Sequence, residues 1–148
     1  MKQTERDLLK KELALLDEAA KTLARSYQLC QRIGSKESYT LEELDHFEGL
    51  TSRFARLSDV LIQKIFRLLE TFDLDLPGTV RDRINRAEKK GLISSSKVFV
   101  EIRDLRNEIA HEYLPTKLGK IYEQVMAWTP MILESVQNVK NYCKKYPM

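Results

Sequence analysis

Arg106, Asn107, His111 and Tyr113 fall within one short run, Arg106-Asn107-Glu108-Ile109-Ala110-His111-Glu112-Tyr113. These residue types suit phosphate chemistry. An arginine offers a planar fork of donors that matches a phosphate, and a histidine exchanges protons near neutral pH. RNA cleavage without a metal needs a base for the 2′-hydroxyl proton, an acid for the departing 5′-oxygen and a cation for the pentavalent phosphate. One chain supplies a single well-placed histidine, so two copies of His111 across a two-fold axis would provide the missing partner. The other histidine, His46, lies beside Asp45 and reads as a surface residue. No cluster of His, Cys, Asp and Glu at metal-ligand spacing occurs, so neither a metal nor a cofactor is implied.

The elements that must position these residues read as helices. In 148 residues there are only five glycines and four prolines, while 43% of the chain is hydrophobic and 32% charged, a composition for an all-α domain with a real core. Leu9, Leu13, Leu16, Ala20, Leu23, Tyr27 and Cys30 form one stripe of a first helix over 4–33, ended by Gly34. Thr40 and Glu43 have the spacing of a capping box that opens a second helix running to about Leu74, with the stripe Leu44, Phe47, Leu50, Phe54, Leu57, Leu61, Ile65 and Leu68. Pro77-Gly78 marks its end. A short third helix, about 79–90, carries Arg81, Arg83, Arg86, Lys89 and Lys90 and is closed by Gly91. The serines 94–96 cap a fourth helix that buries Val98, Ile102, Leu105 and Ile109 and runs to Tyr113, before Pro115. A fifth begins after Thr116, and Pro130 is expected to kink or interrupt it. The expected architecture is an antiparallel four- to five-helix bundle, a single domain over 1–148.

Around the fourth helix, Arg106 and His111 stand about 140° apart, so one protomer spreads the pair rather than clasping a ligand between them. Both lie off the apolar stripe.

The spacing Arg-x4-His-x-Tyr, late in an all-helical chain of this size, resembles the signature of HEPN domains, most closely their HepT-like toxin branch. The resemblance implies a homodimer in which the Arg and His motifs of both chains line one cleft, and a metal-independent endoribonuclease acting on RNA. By position, Arg106 and His111 would be the catalytic pair and Asn107 would support the cleft. The family often adds a polar residue from the preceding long helix, for which Arg53, Arg56 and Asp59 are the candidates. In the HepT-like branch a minimal nucleotidyltransferase antitoxin transfers adenylate onto the motif tyrosine, here Tyr113. An adenylate beside Arg106 would occupy its fork and block the cleft. Some relatives are instead described as non-catalytic nucleotide- or substrate-binding partners of a nucleotidyltransferase. A helical adaptor without chemistry is the third class, favoured by the heptad-like first helix.

Net charge of +3 permits nucleic-acid binding without demanding it. The basic third helix, with Lys140, Lys144 and Lys145, is a candidate for steering RNA phosphates. Two cysteines without disulfide density suggest a reduced, cytoplasmic setting. With a charged start to the chain no signal peptide is expected, and no apolar run approaches membrane-spanning length.

Overall fold

The computed structural model describes residues 2–112 and 115–147, with the side chains of Pro115 and Thr116 left aside. It is all helical. The elements are α1 (Gln3–Ile33), α2 (Leu41–Asp59), a π-helical turn (Val60–Ile65), α3 (Phe66–Phe72), α4 (Val80–Lys89), α5 (Ser96–His111) and α6 (Pro115–Cys143). No strand occurs among the described residues, and none of their helices is long and apolar enough to cross a membrane.

α2, the π turn and α3 form one nearly continuous rod, around which α1, α5 and α6 pack. Cys30 donates to the His46 carbonyl at one end of α1, so α1 runs antiparallel to α2. Phe99 meets Phe66 while Arg106 meets Asp59, so α5 is antiparallel to the rod as well. Tyr122 stacks on Phe47 and Tyr142 reaches Asp73, which sets α6 parallel to it. The result is an up-down-up-down bundle with α4 as a side element.

Local chemistry explains most boundaries. Thr40 and Glu43 close the capping box that the sequence announces, and Thr79 with Asp82 closes another at α4. Ser95 caps α5 by accepting from the Val98 N–H. Gly34 and Gly91 both take positive φ, at 76° and 79°, where a side chain would be strained. The core is lined by fully buried side chains including Leu16, Leu23, Phe54, Leu57, Ile65, Phe66 and Phe99. Burying each stabilises by about 1.5–3 kcal/mol.

Three expectations need correcting. The second helix stops at Phe72 rather than near Leu74, because Leu74 itself adopts φ 59° and the Asp75 N–H turns back to the Glu70 carbonyl. That is a C-terminal motif usually built on glycine. On α5, Phe99 is the buried residue and Val98 is only half-buried, since the helix turns its larger side chain into the space opposite Phe66. Of the two outcomes expected at Pro130, a kink or an interruption, the interruption does not occur: α6 continues to Cys143 with Pro130 on its exposed side. Just before it, the Thr129 hydroxyl donates to the Val125 carbonyl at 2.6 Å.

Candidate functional site

The site forms where the last turn of α2 faces the middle of α5. Asp59 accepts two hydrogen bonds from Arg106, from Nε to Oδ1 at 2.7 Å and from Nη2 to Oδ2 at 2.8 Å. This is a side-on fork between planar groups. Five N–H donors belong to a guanidinium. Two are committed to Asp59, which leaves three along the outer edge of the group. The hydrogen bond to Asp59 raises the Arg106 pKa above its ordinary value, with charge attraction adding to it and desolvation opposing it. The arginine is therefore cationic, oriented and still able to grip a second anion.

Two open hollows flank this pair. One, of about 430 Å³, is lined by Asp59, Lys64, Arg103, Arg106 and Asn107 among others. The second, of about 480 Å³, takes in Ser52, Arg56, Asp59, Lys64, Arg106 and Ala110. Four basic side chains thus surround a single carboxylate, itself already engaged by Arg106. The local field favours an anion.

The π turn accounts for one of the four. In an α-helix, residues five apart are separated by about 140° around the axis. The turn is bonded from i to i+5, with the Phe66 N–H reaching the Leu61 carbonyl, so residues five apart come back toward one face. Lys64 therefore stands beside Asp59 and borders both hollows. An α-helical projection gives no hint of that. A readable signal did exist in Leu57, Leu61, Ile65 and Leu69, all buried, whose unbroken steps of four drift off an α-helical stripe unless an extra residue is accommodated.

The sequence candidates divide accordingly. Asp59 binds Arg106 directly, and Arg56 lines the hollow next to it. Arg53 faces the other way and donates through Nη1 to the Ser26 hydroxyl on α1, where it ties two helices together instead of supporting the groove. Asn107 is exposed and borders the first hollow. His111, the last residue of α5, is exposed and lines neither hollow. Tyr113 lies outside the described residues. Lys64 and Arg103 also border the groove and are not among the site residues that the sequence offered.

Several of the basic side chains in and after the third helix are engaged by acids of the chain itself. Arg83 and Arg86 both bind Glu70, the former at 2.7 Å, and Lys90 binds Asp73 and Asp75 at 3.0 and 2.5 Å. Lys140 pairs with Asp17 and Lys145 with Asp73. Among the described residues no group of three or more His, Cys, Asp or Glu side chains is placed to hold a metal ion.

No protein-family model matches the chain, and no curated protein matches it in sequence. The residues and their geometry therefore carry the functional argument.

Proposed function

We propose that the chain is a metal-independent endoribonuclease of HEPN type, the toxin of a toxin–antitoxin pair, working as a homodimer in the cytoplasm. The observation that carries this reading is the Arg106 fork, held side-on by Asp59 with its outer donors unengaged among the described residues, beside a groove that Arg56, Lys64 and Arg103 make basic. In the proposed reaction Arg106 grips the scissile phosphate. One His111 takes the 2′-hydroxyl proton as that oxygen attacks phosphorus. The bond to the 5′-oxygen breaks, and the second His111, from the other protomer, protonates the leaving oxygen, giving a 2′,3′-cyclic phosphate and a free 5′-hydroxyl. Asn107 supports the cleft. Asp59 is a positioning residue that keeps the fork aimed. A minimal nucleotidyltransferase silences the enzyme by transferring adenylate to Tyr113, two residues after His111 in the chain, and the added phosphodiester anion and bulky nucleoside compete with RNA for the Arg106 fork.

Purified protein incubated with RNA and a metal chelator tests the enzyme. We expect cleavage, with cyclic phosphate ends, that His111→Ala removes while remaining folded. An unaltered rate in His111→Ala would end the catalytic assignment. Co-expression with the transferase should add one adenylate in mass, absent from Tyr113→Phe.

One observation favours a second reading. His111 borders neither hollow of the protomer, so a single chain offers an anion grip without a proton shuttle. On that reading the chain binds a nucleotide or substrate for a nucleotidyltransferase and cuts nothing. RNA binding that depends on Arg106, without cleavage under any buffer condition, would decide for it.

A further inference from the structure

A third hollow, on a different side of the rod, has another character. It lies between the C-terminal end of α1, the start of α2 and the start of α6, and measures about 240 Å³. Its walls are mostly apolar and include three aromatic rings, those of Tyr39, Phe47 and Tyr122. Tyr39 leans on Phe47 with ring centres 5.1 Å apart and planes tilted by 55°, and Phe47 stacks on Tyr122 at 5.0 Å and 21°. Met126 adds a polarizable thioether, and Gln31 and Glu123 bring polar groups to the same lining. The loop that carries Tyr39 is pinned, because its hydroxyl accepts from the Lys36 backbone N–H at 3.1 Å.

The informative atom is the Tyr122 hydroxyl. The residue is 2% exposed, and its hydroxyl is buried with no hydrogen-bond partner among the described residues. Buried tyrosine hydroxyls ordinarily find a partner, since leaving one unsatisfied costs about 1–3 kcal/mol. Burial, and after it the nearby Glu48, Tyr39 and Cys30, raise the pKa of this hydroxyl, so it stays a neutral donor; Tyr39 and Cys30 are also walls of the hollow. Cys30 is no nucleophile, because burial pushes its thiol up to about 11 and its Sγ is committed to the His46 carbonyl.

From the aromatic walls, the volume and the unanswered donor, we infer that this hollow binds a flat heteroaromatic molecule of one or two fused rings, with a ring acceptor that takes the Tyr122 O–H. The rings lie against the wall that Tyr39, Phe47 and Tyr122 form together. Gln31 and Glu123 select among occupants by meeting N–H groups on the ring edge. The site is independent of Arg106 and of RNA cleavage.

Quinoline and indole separate the essential feature, since both are two fused rings and only quinoline carries an acceptor nitrogen. Titration of the full chain, followed by calorimetry and by the methyl resonance of Met126, should show quinoline binding more tightly than indole. Tyr122→Phe should weaken quinoline about three- to tenfold, the value of one hydrogen bond, and leave indole unchanged. The same substitution should leave the ligand-free melting temperature level or higher, because it removes an unsatisfied group. Equal affinities for the two probes, quinoline affinity unmoved by Tyr122→Phe, or a silent Met126 signal would each overturn the assignment.

Discussion

Asp59 and Asp73 are both carboxylates at the edge of the central rod, and both bind cations from neighbouring helices, yet they end in opposite conditions. Asp73 is surrounded. Tyr142 and Tyr146 donate to it, the latter at 2.6 Å, and Lys90 and Lys145 approach at 3.0 and 3.3 Å. Its side chain is 14% exposed. Although desolvation pushes the other way, those hydrogen bonds and the nearby lysine hold its pKa down at about 2. Phe72 packs against Tyr146 edge-on beside it, so the ends of α3, α4 and α6 are joined at one point. Asp59 meets a single arginine, is 42% exposed, and stands between two open hollows. A carboxylate whose acceptor positions are all taken up by its own chain closes a structure. One that engages only part of a guanidinium orients it and leaves the rest available for a ligand.

That contrast can be broken experimentally, and the largest effect belongs to Arg106. Arg106→Ala should lower RNA cleavage by a hundredfold or more, the scale of losing a charged contact to a developing oxyanion, while changing stability by less than about 1 kcal/mol. Cleavage assays beside thermal melts check both halves, and a destabilised but active variant would reverse the roles assigned here.

Asp73→Ala should do the opposite. We expect a loss of about 2 kcal/mol, or about 4–8 °C in melting temperature, with cleavage per folded molecule retained. The pH dependence has a definite sign. Since Asp73 is depressed from 3.8 to about 2, its contribution is complete above pH 4 and disappears as pH falls toward 2. Acid titration of stability should therefore be steeper for the wild type than for Asp73→Ala across that window. Parallel curves would mean that the cluster is electrostatically idle.

The smallest effect sharpens the idea that Asp59 positions. Asp59→Asn should cost under about 1 kcal/mol and slow turnover about tenfold, with KM unchanged or lower because a compensating negative charge has gone. A rise in KM at constant kcat would assign Asp59 to substrate binding instead.

Much of this was legible in the chain. The all-helical class, the stripes of α1 and α2, the glycine ends at Gly34 and Gly91 and the capping box at Thr40 follow from periodicity and local chemistry, which act over a few residues. Asp59 could be narrowed only to a group with Arg53 and Arg56, because which of three neighbouring side chains meets α5 depends on the rotation of two packed helices. The structure sends Arg53 to Ser26 and Asp59 to Arg106. Lys64 was hidden by the π turn, which breaks the angular rule used to project a helix. Leu74 ends its helix without a glycine to announce it. The basic third helix illustrates a further limit, since counting its charges says nothing of the acids that Glu70, Asp73 and Asp75 bring from elsewhere.

The proposed function rests on two protomers sharing their His111 side chains in one cleft. Mixing wild-type chains with His111→Ala chains in varying proportions, after dissociation and reassociation, tests that sharing. If each cleft needs both histidines, activity follows the square of the wild-type fraction, and an equal mixture retains about a quarter of the full rate. A linear dependence, with about half the rate in the equal mixture, would show that each chain works alone and would contradict the shared cleft.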